Sequence, residues 1–206
     1  MIGNHSKTRQ RILQAALKRF AHAGYAATSV QQIVDDARVS KPALYYHFGD
    51  KAGLFRALLD TANDDRYRLM QEAAARAGNA RDRLIEVLAE LFEHVQRNRE
   101  LVRMAFASLF AAPGELPRPS RHDEKCERNF DFIHSLMKQG QATGELDARF
   151  DSRELALGFF GQMNIYTITH LMLPKRGLGR QTAVRVVSLF LAGACKGGGN
   201  IRKKRS

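Results

Sequence analysis

Seven histidines and two cysteines, Cys126 and Cys195, are the side chains of this sequence best suited to covalent or metal chemistry. Their spacing supports little of either. His122 and Cys126 stand four apart on one helix face, with His134 two turns beyond Glu127, and two ligands at helical spacing are too few to specify zinc. Paired-cysteine zinc patterns, His-Glu-x-x-His, a phosphate-cradling glycine-rich loop and a Gly-x-Ser-x-Gly elbow are all missing from the sequence. Cys126 as a redox sensor would need a depressed pKa and exposure. No cofactor, metal or catalytic residue is therefore expected. What the sequence offers instead is non-covalent: hydroxyls, amides and cations crowded between Thr28 and Lys51, suited to donating hydrogen bonds to an anion.

The distribution of charge sharpens that reading. The 206 residues carry a formal net charge of +12. Residues 1–55 hold +5, residues 56–195 only +2, and residues 196–206 another +5. Excess positive charge confined to one end module and a tail suits a polyanion, because each neutralised phosphate releases counterions. A surface built for solubility alone would spread it. With 44% hydrophobic and 26% charged residues the composition is that of a soluble globular chain, and no uncharged apolar run is long enough to span a bilayer. The start, Met1-Ile2-Gly3-Asn4-His5-Ser6, lacks the apolar stretch of a secretion signal, so a cytoplasmic protein without membrane contact is expected.

Apolar residues recur at three and four throughout, which predicts an all-α fold of about nine helices. The first spans roughly residues 8–22 on a stripe of Ile12, Leu13, Ala16, Leu17 and Phe20, with Gly24 as its stop. Thr28 and Gln31 have capping-box spacing at the head of a short second helix carrying Val30, Ile33, Val34 and Ala37 inward. Ser40 is an N-cap candidate for a third, with Pro42 in its first turn. Two short helices joined by three or four residues make a helix-turn-helix, whose second helix can enter a major groove. A long helix over about 51–77 follows. Further helices are expected over about 80–96, 99–111 with an Asn98 cap, 120–139, 151 (capped by Asp151) to before Pro174, and 180–194. The last is apolar around most of its circumference, through Val184, Val186, Val187, Leu189, Phe190 and Leu191, and a helix of that kind is buried on more than one side. Together with the helix of Leu155, Leu157, Phe159, Phe160, Ile165 and Ile168 it predicts a two-fold, four-helix interface. Completion of the monomer core by the same residues is the alternative.

Residues 8–55 also carry a resemblance. Thr8-Arg9-Gln10-Arg11-Ile12-Leu13-Gln14-Ala15-Ala16, Phe20, Gly24-Tyr25, Thr28-Ser29-Val30 and above all Val39-Ser40-Lys41-Pro42-Ala43-Leu44-Tyr45-Tyr46-His47-Phe48, with Lys51 and Leu54-Phe55, resemble the DNA-binding domain of TetR-type transcriptional regulators. The resemblance implies that Lys41, Ala43 and Tyr45 face base edges or adjacent backbone. It implies that Thr28, Ser29, Gln31, Tyr46, His47 and Lys51 hold phosphates, with Ser40 at the start of the recognition helix. The physics agrees: hydroxyls and amides at helix N-termini aim donors at phosphate, and a groove lysine can donate to guanine O6 or N7. Two positions depart from the family's pattern. Arg38 stands in the turn where glycine is common, so its backbone must tolerate a left-handed conformation or the turn must change. Gly53 is a weak helix former in the first turns of the long helix.

The division expected is a helix-turn-helix domain over 1–50, a ligand-binding and dimerisation domain over 51–195, and a basic disordered tail over 196–206. Candidate walls of an effector pocket are Met104, Phe106, Phe110, Phe130, His134, Met137, Asn164, Tyr166, Thr167 and His170, which combine apolar or pliable bodies with a few polar groups. Plain core is the competing reading for each. The function expected is a ligand-responsive repressor that binds a palindromic operator in double-stranded DNA. It would do so as a homodimer through the last two helices, and a small hydrophobic effector would release it. An architectural DNA-binding protein without an effector, and a small-molecule enzyme on a helical scaffold, are the alternatives.

Overall fold

A computed structural model describes residues 2–112, 114–117, 122–174 and 177–194, without the side chains of residues 2–6, 122 and 194. The 196–206 tail and Cys195 lie outside the described residues. Within them there are nine α-helices and no strand: α1 Ile2–Ala27, α2 Val30–Ala37, α3 Lys41–Phe48, α4 Lys51–Ala74, α5 Ala80–Arg97, α6 Arg99–Leu109, α7 His122–Ala142, α8 Ser152–Met172 and α9 Arg180–Ala194. The chain forms two compact units, Met1–Asp65 with Asn98–Glu124, and Arg66–Arg97 with Lys125–Ser206.

In the N-terminal unit the expected stripe of α1 is the core: Ile12, Ala16 and Phe20 close on Ile33, Val34 and Ala37 of α2, Leu44 of α3, Leu54, Phe55, Leu58 and Leu59 of α4, and Leu101 and Met104 of α6. Gly24 breaks the helical path as expected, with φ 82° and ψ 165°, but α1 begins at Ile2 and resumes beyond the break to Ala27. Phe20, Tyr25 and Phe55 meet in a triangle of rings with centroids 5.1–5.5 Å apart. Such contacts add about 0.5–1.5 kcal/mol each beyond burial. α6 braces the same unit through Arg103, which donates to the Ala21 carbonyl at 2.7 Å. Asn98 occupies the position before α6, yet its side chain makes no capping bond, contrary to expectation.

In the C-terminal unit α5 packs along α9 and also meets α8. It buries Leu84, Val87, Leu88, Leu91, Phe92 and Val95, while α9 turns Ala183, Val186, Val187 and Phe190 inward. Phe190 stands edge-on to Phe159 of α8 at 5.3 Å. Asp151 caps α8 as expected, accepting from Arg153 N at 2.8 Å and Glu154 N at 3.1 Å. α7 continues three residues past its expected stop, and Gly140 within it is closely packed. A Cβ there would sit 2.8 Å from Leu146 Cδ1 and 3.2 Å from the Ala80 Cβ. The helix closes where Gly140 O accepts from Glu145 N and Leu146 N, with Gly144 at φ 76°. Not all of the apolar surface of α8 and α9 is covered: Leu157, Ile165, Met172 and Leu189 are each at least half exposed, as is Leu173 just past the end of α8.

Candidate nucleic-acid interface

α3 is held by a single fully buried side chain, Leu44, whose burial is worth about 1.5–3 kcal/mol. That one anchor sets the helix so that Lys41, Pro42, Tyr45 and Tyr46 are exposed, Tyr46 to 76%. Ala43 and His47 are half-buried beside them. Ser40 caps α3 as expected, its oxygen accepting from Ala43 N at 3.4 Å, and Pro42 fills the first turn. Tyr46 packs edge-on against His47 at 5.2 Å.

The start of α2 differs from the expectation by one residue. Ser29, not Thr28, is the N-cap. Its Oγ accepts from Gln32 N at 3.2 Å while Gln32 Oε1 accepts from Ser29 N at 2.8 Å, a complete capping box worth about 1 kcal/mol. Thr28 is buried to 2% exposure and donates its hydroxyl inward to Gly24 O at 2.7 Å. Gln31, expected as its capping partner, is exposed and donates instead to Asp35 Oδ1 at 2.7 Å. Lys51 is likewise engaged inside the unit. Its Nζ donates to Tyr25 O at 2.9 Å and Thr28 O at 2.8 Å, and lies 4.3 Å from the Tyr25 ring centroid. Two of its three donors are thus spent on backbone, leaving one for a phosphate.

The turn between α2 and α3 answers the question posed by Arg38. Its backbone is left-handed, φ 51° and ψ 51°, the one positive-φ non-glycine residue among the described residues. Its amide bonds back to Asp35 O, and its carbonyl accepts from Arg11 Nη2 at 3.0 Å, so α1 clasps the turn. A second clasp joins α1 to α2, where Arg19 grips Asp36 through two bonds of 2.6 and 2.7 Å. The Arg19 hydrogen bond holds the Asp36 carboxyl below its ordinary value and raises the guanidinium in turn. Arg9 lies over the Phe48 ring at 5.2 Å. These ties fix the attitude of α3 on α1.

Gly53 also has its reason. A Cβ at that position would stand 2.0 Å from the Phe48 carbonyl oxygen, the last of α3. Its amide donates to Asp50 Oδ1, which opens α4. The residue is there for the tight α3–α4 corner, where sequence alone shows only a poor helix former.

The expected effector residues are divided between the two units. Met104 belongs to the N-terminal core, Phe106 is half-buried, and Phe110, expected to face inward, is 80% exposed in the same unit. In the C-terminal unit Phe130 lies beside His134 and Phe160 at 6.2 and 5.8 Å, and His134 Nε2 meets Ser152 Oγ at 2.9 Å. Met137 is fully buried, and Thr167 bonds back to the Met163 carbonyl. Tyr166 and His170 line a half-open groove of about 510 Å³ with Ile165, Thr169, Leu178 and Thr182. Asn164 Oδ1 accepts from Arg66, a residue not anticipated in any role. Among the described residues no three His, Cys, Asp or Glu side chains gather as metal ligands, and no helix is long and apolar enough to cross a membrane.

Comparison with known proteins gives a consistent picture. The family model described as "Bacterial regulatory proteins, tetR family" matches residues 12–58. AcrR of Shigella flexneri, an HTH-type transcriptional regulator, is 33% identical over 174 residues, covering 82% of this chain and 80% of its own. YuxN of Bacillus subtilis, an uncharacterized HTH-type transcriptional regulator, is 29% identical over 93 residues; the match spans 45% of this chain and only 32% of that relative's length. Among solved structures, FadR from Bacillus subtilis in complex with stearoyl-CoA superposes with a TM-score of 0.78 at 20% identity, over 89% of this chain and 98% of that one.

Proposed function

The chain belongs to the TetR family of bacterial transcriptional regulators, and from that membership we propose that it works in the cytoplasm as a homodimeric repressor of a palindromic operator, released by a small effector. The observation that carries this reading is the attitude of α3. One leucine anchors it, and its cation and two tyrosines point to solvent along one short helix. Residues 1–50 form the reading head. In it Lys41, Ala43 and Tyr45 approach base edges, while Ser29, Gln31, Ser40, Tyr46, His47 and the remaining donor of Lys51 meet phosphates. The burial of Thr28 favours a supporting role for it behind Ser29.

The body, residues 51–195, supplies the dimer and the effector site. The apolar residues left uncovered on α8 and α9 support a two-fold bundle of those helices. Two heads at a fixed separation then read half-sites about one helical turn apart. An effector that favours a different separation lowers operator affinity by population shift. In that body Phe130, His134 and Asn164 are the effector contacts that the geometry favours; FadR's stearoyl-CoA is a property of FadR.

The test is binding of the protein to its own upstream DNA and to random duplex, repeated with Lys41→Ala over a panel of operator variants. Tighter binding to the upstream DNA, with preference relaxed at one base position by Lys41→Ala, is expected; one good base contact is worth about 1–3 kcal/mol. Equal affinity for both duplexes refutes specific repression and favours an architectural protein. Uniform weakening with unchanged preference refutes base reading by Lys41.

A further inference from the structure

Arg66 is a cation whose hydrogen-bond and ring partners within the C-terminal unit are uncharged. Within the C-terminal unit its Nη2 donates to Asn164 Oδ1 at 3.1 Å and meets Met163 Sδ at 3.8 Å. Its guanidinium carbon lies 4.7 Å from the Phe160 ring centroid. Nε is sealed from solvent and makes no hydrogen bond. Every one of these neighbours is neutral. Burial pushes Arg66 down to about 10, with only Cys126 opposing, so the group remains cationic at neutral pH. An arginine matched by amide, thioether and ring has its charge uncompensated, and such a group persists where it has a task rather than where it stabilises.

The surroundings indicate what that task is. Phe160 stands edge-on to Phe130 at 5.8 Å and 77°. The Phe130 ring in turn carries the Arg153 guanidinium at 5.0 Å. Arg66, Phe160, Phe130 and Arg153 therefore run in sequence as an aromatic wall with a cation at each end. A guanidinium with an unused donor beside apolar rings recognises an acceptor anion on an apolar body, because its planar fork fits carboxylate and phosphate alike.

We propose that the effector is an amphiphilic anion whose carboxylate or phosphate oxygen accepts from Arg66 Nε and whose apolar body lies along Phe160 and Phe130. This rests on the effector-responsive reading above and gives that effector a chemical class.

The test is calorimetric titration of the full-length protein with decanoate, decyl phosphate and uncharged decanol, for the native chain, Arg66→Met and Arg66→Lys. At least one of the two anions is expected to bind about tenfold or more tighter than decanol, the scale of one charge-assisted bond. Which of the two binds better identifies the headgroup. Arg66→Met should reduce anion affinity to the level of decanol, and Arg66→Lys should keep part of the preference. The ligand-free Arg66→Met protein should melt no lower than the native chain, since an apolar side chain replaces a partly buried charge whose Nε lacks a partner; lost binding then cannot come from misfolding. Equal binding of anions and alcohol, unchanged by Arg66→Met, overturns the inference and leaves the effector reading in place. Binding of none of the three also overturns it; release of operator by cell extract would then preserve the effector reading, and no release would remove both.

Discussion

Replacing Gly53 with alanine sets two effects of opposite sign against each other. Helix propensity favours the substitution by up to about 1 kcal/mol at an interior helix position. The packing opposes it: the new Cβ would stand 2.0 Å from Phe48 O and 3.2 Å from Phe48 C. An ordinary carbon–oxygen contact needs about 3.3 Å, so the carbonyl must retreat by more than about 1 Å. That carbonyl accepts from Asp50 N at 2.9 Å, and Gly49 beside it is already at φ 77°. The corner therefore cannot yield without moving the end of α3. Overpacking of this kind costs about 1–3 kcal/mol, more than propensity returns, and the net expectation is a loss of about 1–2 kcal/mol. For a chain of this length that lowers the melting temperature by roughly 2–8 °C, read by far-UV circular dichroism. Operator affinity should fall with it, because the displaced segment is the recognition helix. A melting temperature that rises, with operator binding intact, would show that the corner is loose and that propensity alone governs the position.

Arg38→Gly should raise the melting temperature, since a non-glycine left-handed residue costs roughly 1–2 kcal/mol; a fall would mean that the side chain stabilises the turn by more than its backbone strains it. Leu189→Glu, placing a charge on the exposed apolar part of α9, should shift the protein from dimer to monomer in size-exclusion chromatography, and an unaltered dimer would rule out α9 as the interface. The pH dependence follows from two carboxylates held low by hydrogen bonds, Asp36 by Arg19 and Glu86 by Arg180. A depressed folded-state value means that their stabilisation is complete above the ordinary carboxylate range of about 3.9–4.3 and is lost as pH falls through the lower folded values. Arg19→Gln should accordingly flatten the acid side of a melting-temperature profile, and superimposable profiles would assign acid unfolding to other groups.

The helices were legible because their apolar spacing and their glycine and proline stops are local signals; the structure keeps most of them within a few residues, while α1 starts six residues earlier and ends five later than its stripe suggests. The misplacement at α2 shows where such signals end. Thr28 with Gln31 and Ser29 with Gln32 have the same spacing, and only the inward bond from Thr28 to Gly24 O, formed in the folded unit, decides between them. The Phe48 oxygen that requires Gly53 is brought close by a corner, which no periodicity reports. Lys51 was readable as a cation beside free amides, but its two carbonyl partners come from residues more than twenty positions earlier. Among the effector candidates, residue type alone could not separate Phe110, exposed, from Phe130, packed on other rings. Arg66 was missed although a signal existed. It falls four after Ala62 and four before Met70 on the apolar stripe of α4, where a charge breaks the pattern.

Lys51 has a mechanical consequence. Its ammonium fastens the first turn of α4 to the last residues of α1 and to the threshold of α2, while the Tyr25 ring closes over the joint. A pull along α4 thus drags both anchorages at once, and with them the Ser29 cap and everything α2 supports. Loss of that one ammonium would free the first turn of α4 from α1 and from the approach to α2 together, two joints undone by a single side chain.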